Sequence, residues 1–368
     1  MDVLMPRKEL SRAVALLRGA GKPFGAEPVL TFRVDDGTVM VANRGQEADI
    51  AVTLATETPA VSGAEAITVL PLAPVEALIK SFTGDMVTLN LAERTTVKLY
   101  CGSAIAQLRT FDQALVKPPE VPTDAAWVRV SAADLAHALR ASYAAATKEW
   151  QVALQGIQFT LHNNGLTVFS TDGFRAAWSG CPASYLTADA LNKTVLLPQR
   201  GVALLRAVVN LGGEVDLTWD NTRLLVVAGS VKMRLPVLSG ELPSIDKVMP
   251  KEFITTVEIN RRAMVEAIAR ARILGDPNVS RIDLTLGDNL LTVAGDGAHG
   301  HSEEALAVGR TGNLEPLKIA ISGRFLADAL AADPQAELSV WQVSGAASPL
   351  YAITGAHSAL IVPLRVLD

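Results

Sequence analysis

"IQFTLHNNGLTVFSTDGFRAAW", residues 157–178, alternates apolar and polar residues on both sides of an Asn-Asn-Gly turn. A period of two on each arm is the mark of a half-buried antiparallel hairpin, and Asn and Gly tolerate the positive φ that tight hairpin turns need. The run then ends in Thr171-Asp172-Gly173-Phe174-Arg175, which sets an acid and a base beside a glycine. Asp172 is either a catalytic carboxylate or part of a second turn. The rest of the chain decides between them.

Two other stretches share the hairpin pattern, "LTFRVDDGTVMVAN" at 30–43 and "IDLTLGDNLLTVAG" at 282–295. Each of the three follows a helical pattern: Leu10, Val14 and Leu17 in the first, Leu135 and Leu139 in the second, Met264 and Ile268 in the third. Leu10 to Leu135 is 125 residues and Leu135 to Met264 is 129. A second helix follows in each third, "LPLAPVEALIKSF", "LPQRGVALLRAVV" and "ISGRFLADALAA", with a strand before it and three short strands after it. An internal repeat of this kind means one structural unit used several times. The fold class expected is α+β, three copies of a unit of about 120 residues, each helix, strands, helix, strands. Proline-rich joints, "VKPPEVPTD" at 116–124 and "LPSIDKVMPKEF" at 242–253, place the domains at 1–122, 123–250 and 251–368.

The repeat answers the question about Asp172. The corresponding stretches, "NRG" at 43–45 and "GDG" at 295–297, are also turn-forming, and the first lacks an acid at that place. A structural turn permits such a change and a catalytic carboxylate does not.

Of the 368 residues, 49 % are hydrophobic and 19 % charged, enough to bury a sizeable core. No apolar run approaches the roughly 18 residues of a membrane helix, and "MDVLMPRKEL" lacks the layout of a signal peptide, so a cytoplasmic protein without membrane partners is expected. Cys101 and Cys181 are too far apart in sequence and setting to suggest a zinc cluster or disulfide framework, and read as buried thiols. The six helical windows (7–22, 71–80, 131–149, 198–206, 260–272 and 322–330) carry fifteen Lys and Arg against six Asp and Glu, so the helices sum to +9 in a chain of net charge −5. Helices biased together in an otherwise acidic protein point to one surface that faces a polyanion.

The threefold repeat, "LQGIQFTLHNNGLTVFSTDGFRAAW", "ELPSIDKVMPK" and the terminal "IVPLRV" together resemble the bacterial sliding clamp family, the β subunit of DNA polymerase III holoenzyme. The most specific part is Thr-Asp-Gly-X-Arg at 171–175 with Leu-X-Gly at 154–156 before it. The resemblance implies a homodimer whose two chains close head to tail into a ring of six domains, helices lining the inside and antiparallel sheets outside. It implies no catalysis and no cofactor. Its implied partners are double-stranded DNA, held without regard to sequence, and the DNA polymerase III α subunit, the clamp loader and other polymerases or repair proteins, which dock through short linear peptides.

Carried over by the resemblance, the peptide pocket comprises Leu154, Thr171, Gly173, Phe174, Arg175 and Ala176 from the opening stretch and its approach. Pro243, Lys247 and Val248 come from the second joint. Phe325, Ala346, Ser348, Leu360, Val362, Pro363 and Leu364 come from the last third. Arg175 is expected to hold a polar group of the peptide at the rim. Phe174 stands where the family usually has histidine, and Ala176 where a larger aliphatic residue is common. The dimer seam expected is Leu108 and Arg109 of one chain against Ile273, Leu274, Glu303 and Glu304 of the other, with Ser103, Ile105 and Ala106 where arginines and a phenylalanine are typical. Candidates for phosphate contact, chosen from the positively charged helices, are Lys22, Arg140, Lys148, Arg200, Arg206 and Arg270. The rival reading is a metal-dependent hydrolase built on His299 and His301 with Asp296 in "GDGAHGHSEE"; a third imidazole or thiolate nearby is missing from that loop.

Overall fold

The computed structural model describes the chain except for residues 24–25, 36, 59–65, 112–116, 123–124, 149–150, 164, 187–193, 276–279 and 366–368. The first joint and the end of the third helical window therefore lie partly outside the described residues. Each of the six windows holds a helix: α1 (Arg7–Arg18), α2 (Leu72–Ser81), α3 (Ala132–Ala138), α4 (Gln199–Val209), α5 (Arg261–Leu274) and α6 (Gly323–Ala331). Leu10, Val14, Leu17, Leu135, Leu139, Met264 and Ile268, the residues that carried the periodicity, are all buried.

The chain divides into two compact units. One contains Met1–Ala133, Ala183–Leu191 and Arg200–Val237. It holds an antiparallel sheet in the order Asp2–Pro6, Met86–Asn90, Thr96–Cys101, Ala104–Arg109. Its larger sheet carries strands of the first third beside strands of the second, joined where Val231–Pro236 pairs with Asp49–Ala55. At that joint the Asp49 carboxylate accepts from Arg44 Nε at 3.0 Å and from Arg234.

The other unit contains Asp134–Pro182, Asn192–Gln199 and Leu238–Asp368. Among the described residues, its sheet begins with Thr194–Pro198, Gly156–His162, Gly165–Thr171 and Arg175–Pro182 and continues through His357–Ile361, Leu350–Thr354 and Leu338–Val343. The strands Thr255–Asn260, Gly300–Gly312, Leu290–Gly297, Arg281–Leu286 and Leu317–Ser322 complete it. The second and last thirds meet in this sheet where Ala176 pairs with Leu360 and Trp178 with Ser358.

Three features differ from the sequence reading. Short strands, Asp2–Pro6, Val128–Ser131 and Thr255–Asn260, precede α1, α3 and α5; each runs straight into its helix, so its apolar residues merge with the helical pattern. The hairpins also gain a third strand each, Asp49–Ala55, Arg175–Pro182 and Gly300–Gly312. Finally, α3 ends at Ala138 and continues as a 3₁₀ turn over Leu139–Ala144. Ser170 Oγ donates to the Ala141 carbonyl at 2.6 Å and Arg175 Nη2 to the Tyr143 carbonyl at 3.1 Å, so these acceptors are satisfied without a further α turn.

Candidate functional site

Thr171–Arg175 is a turn held by its own side chains. Asp172 Oδ1 accepts from the backbone N–H groups of Phe174 and Arg175, both at 3.0 Å, and Oδ2 accepts from Arg175 Nε at 3.0 Å. An aspartate bonded to the backbone two and three residues ahead is a standard way to close a turn. Gly173 has φ 88°, the left-handed region that favours glycine. Thr171 Oγ1 donates to the Arg175 carbonyl at 2.6 Å and accepts from Gly173 N–H at 3.1 Å.

Arg175 is the centre of this construction. Besides Asp172, it donates through Nη1 to Asp328 of α6 at 2.6 Å and through Nη2 to the Tyr143 carbonyl. Its guanidinium lies 4.4 Å from the Phe325 ring centroid and 5.5 Å from that of Tyr143. Burial pushes the Tyr143 phenol up, so it stays neutral. With its side chain 10 % exposed and its donors directed inward, Arg175 does not present a free group to a rim ligand. In this structure its role is to stiffen the turn. The effect is to display Phe174, which is 65 % exposed.

Beside the turn lies an apolar group. Leu154, Ala176 and Leu360 are buried in it with Ala146, Phe169, Leu196 and Leu242, and Trp178, Ile245, Met249 and Tyr351 pack on it partly exposed. Leu242, Ile245 and Met249 were not picked out from the sequence, although they alternate through the same joint as Pro243, Lys247 and Val248. Those three are exposed around a 3₁₀ turn, Ile245–Lys247. Val362 N–H donates to the Phe174 carbonyl at 3.0 Å and Leu364 N–H to the Ala320 carbonyl at 2.8 Å, so Val362, Pro363 and Leu364 run past the displayed turn. Ala346 and Ser348 are in the turn between Leu338–Val343 and Leu350–Thr354 and are not members of the apolar group. Tyr143 and Asp328 gave no sequence signal, being 32 and 153 residues from the arginine they hold.

The phosphate-contact candidates divide. Lys22 and Lys148 are exposed, Lys22 beyond the end of α1 and Lys148 beyond the 3₁₀ turn that follows α3. Arg140 reaches the Ala332 carbonyl at 3.4 Å. Arg206 lies on α4, where desolvation lowers its pKa. Arg200 and Arg270 are held in ion pairs, with Glu47 and Glu304 respectively. Both nitrogens of the Arg270 pair donate at 2.8 Å, a bidentate fork whose hydrogen bonds raise the arginine and lower the Glu304 carboxyl. Thus a residue expected on the DNA side binds one expected in the dimer seam.

Of the other seam candidates, Ile273 is 76 % exposed and Leu274 half-buried at the end of α5. Leu108 and Arg109 lie on Ala104–Arg109, the outermost strand of its sheet, where Ile105 is 67 % exposed. Glu303 is exposed and sits 3.5 Å from His301 Nε2. Asp296 is 4.0 Å from the other ring nitrogen. His299 is exposed in the same loop. Among the described residues, His299, His301 and Asp296 do not form a group of three metal-ligating side chains, and nothing supports the hydrolase reading.

The stretches "NRG" and "GDG" end their strands at the turns that follow: Gly45 N–H donates to the Ala48 carbonyl at 2.9 Å, and Gly297 leads into the turn at 298–299. A Cβ at Gly45 would overlap the Ala20 carbonyl, and one at Gly295 or Gly297 would overlap the carbonyls of Ala271 or Leu274. Glycine here lets the strand approach the end of the preceding helix. Cys101 and Cys181 are buried free thiols, and burial pushes Cys181 up to about 12. Buried His357 is pushed down to about 4, by desolvation first and then by the neighbouring His137, so its imidazole is neutral at pH 7.

Residues 130–244 match the family model of the DNA polymerase III beta subunit, central domain, and residues 246–351 match that of its C-terminal domain. The chain therefore belongs to the DNA polymerase III beta subunit family, the bacterial sliding clamps. It is 25 % identical over 245 residues to the Beta sliding clamp of Synechocystis, covering 62 % of each chain. It is 25 % identical over 332 residues to that of Staphylococcus epidermidis, covering 85 % of each. The alignments span 62 % and 60 % of the length of the first two such relatives, the second being from Synechococcus elongatus. In fold, the chain matches a Pseudomonas aeruginosa sliding clamp solved with griselimycin bound, at a TM-score of 0.89 and 20 % identity over the full length of both. Among the described residues no helix is long and apolar enough to cross a membrane.

Proposed function

We propose that this chain is one half of a DNA sliding clamp. Two copies, each of three domains at 1–122, 123–250 and 251–368, close a ring around duplex DNA in the cytoplasm and tether a polymerase, with no catalysis of their own. The single observation that carries this reading is the match of 130–244 and 246–351 to the two family domains. The helices supply a sequence-independent attraction for phosphates, which holds DNA without reading bases. Lys22, Arg140, Lys148, Arg200, Arg206 and Arg270 are proposed as the contacts, the glutamates paired with Arg200 and Arg270 reducing the share of those two.

Closure uses two strand edges. Ala104–Arg109 has one described neighbour, Thr96–Cys101, and residues 300–307 pair on one side with 290–297. Among the described residues no strand covers their other sides, and an uncovered edge is a template for pairing with another chain. Leu108 and Ile105 would then meet Ile273 and Leu274 of the second copy, and Arg109 would meet Glu303, since Glu304 is engaged by Arg270. Partner peptides, from the polymerase III α subunit, the clamp loader and other polymerases or repair proteins, would seat an apolar anchor on Leu154, Leu360, Val362 and Leu364 beside Phe174. Burial of one leucine or phenylalanine anchor contributes about 1.5–3 kcal/mol, so a short motif binds near micromolar once a few polar contacts are added.

The test is retention on DNA. After loading, the protein should stay on closed circular DNA and run off linear DNA of the same sequence. Equal loss from both would refute encirclement.

A further inference from the structure

His137, Asp333 and His357 come from three separate elements: α3, the segment after α6, and the first residue of the strand His357–Ile361. One ligand atom from each can be chosen so that all lie within 4.8 Å of one another. His137 Nε2 and Asp333 Oδ2 are 3.3 Å apart, and the two imidazole rings have centroids 4.4 Å apart at 31°. His357 is 3 % exposed, and neither of its ring nitrogens has a hydrogen-bond partner. A buried polar atom left unpaired costs free energy and calls for an explanation.

We propose that these three side chains bind a divalent transition-metal ion, zinc fitting best, as a staple between the second and last thirds of the chain. Two imidazoles and one carboxylate are a donor set that zinc takes with water in the fourth position. Zinc–ligand bonds of about 2.0–2.1 Å put tetrahedral ligands about 3.3–3.5 Å apart, the separation that His137 and Asp333 already have. Bringing His357 in needs a small ring movement and gives one of its two unpaired nitrogens a partner. Asp333 is positioned for the task. Its Oδ1 accepts from Gln335 N–H at 3.2 Å, leaving Oδ2 toward the rings. Gly355, at φ 58°, lies so close that a side chain there would overlap the carboxylate. The nearby cation, Arg140, is turned to the Ala332 carbonyl. A metal here would fasten the helical start of the second third to the strand that joins both thirds in one sheet, next to the bond from Ser179 Oγ to the Ala356 carbonyl at 3.1 Å.

The experiment uses the full chain, stripped with a chelator and titrated with Zn²⁺ alone against a chromophoric competitor. Elemental analysis and Co²⁺ absorption report stoichiometry and coordination. The wild type should take up one ion per chain, show a four-coordinate Co²⁺ spectrum and gain melting temperature on metal addition. His137→Gln and Asp333→Asn, changes at the less central positions, should each weaken uptake at least about tenfold. A His299→Ala/His301→Ala double variant, which removes the exposed histidine pair, should bind like the wild type. Circular dichroism confirms that each variant is folded. No uptake by the wild type, uptake unchanged in His137→Gln and Asp333→Asn, or uptake lost in the His299/His301 variant would each overturn the site.

Discussion

The end of the second hairpin and the end of the last one are copies of the same place in the repeat, and they do opposite things. At Thr171–Arg175 the chain turns outward, with Asp172 and a buried arginine bracing a loop that exposes Phe174. At Gly295–Gly297 the strand is drawn in against the carbonyls of Ala271 and Leu274, and the helix end beside it exposes Ile273. At one site side chains hold a loop, and at the other their absence lets two backbones touch. The same repeat thereby yields two distinct exposed apolar surfaces, one at the proposed peptide site and one at the proposed dimer seam.

The largest effect should come from filling the close approach. Gly295→Ala must displace α5 from its strand and should lower stability by about 3 kcal/mol or more. Gly173→Ala meets open space and opposes only the positive φ, a cost of about 1–2 kcal/mol. Denaturant midpoints of the two variants, measured side by side, check the order, and a reversal would mean the two ends are braced alike.

Arg175→Ala removes the brace itself. It leaves Asp172, 16 % exposed, without its cation, and should cost about 3 kcal/mol by denaturation. Arg175→Lys should recover little of this, because one ammonium cannot reach Asp172, Asp328 and the Tyr143 carbonyl in a planar fork.

Next come changes that separate the surfaces. Ile273→Asp should shift light scattering from about twice the 38.9 kDa chain mass toward the monomer and leave peptide affinity as in the wild type. Leu364→Ala or Leu154→Ala should weaken a polymerase-tail peptide at least several-fold, by about 1 kcal/mol or more, with the dimer intact. Peptide titration and light scattering on all three decide whether the surfaces are independent.

The smallest effects belong to the helices. Replacing Lys22, Arg140, Lys148 and Arg206 by glutamate should flatten the salt dependence of DNA binding by roughly one unit of slope per lost phosphate contact. Arg270→Ala should change the slope by less, since the released Glu304 accounts for part of the loss. A full unit from Arg270 alone would show that its ion pair opens on DNA.

The sequence by itself determined the repeat, the six helices, the hairpins and the turn at Asp172. The repeat shows as the same pattern at offsets of 125 and 129 residues. The others rest on neighbours within a few residues: a period of 2 or 3.6, a glycine able to take φ 88°, an aspartate that bonds to backbone N–H groups two and three residues ahead. The apolar members of the proposed peptide site, Leu154, Leu360 and Leu364, came from the family resemblance, because an apolar residue in a strand does not announce what will lie on it. Only the tertiary structure decided what each charge does. Arg175 is tied to Asp328, 153 residues away, and Arg270 is forked to Glu304, 34 residues away. The three metal-ligating side chains span positions 137 to 357 and meet because the strand His357–Ile361 pairs with Arg175–Pro182. Periodicity sets which face a side chain takes, whereas the partner it finds there depends on sheet register between distant segments, which no local pattern encodes.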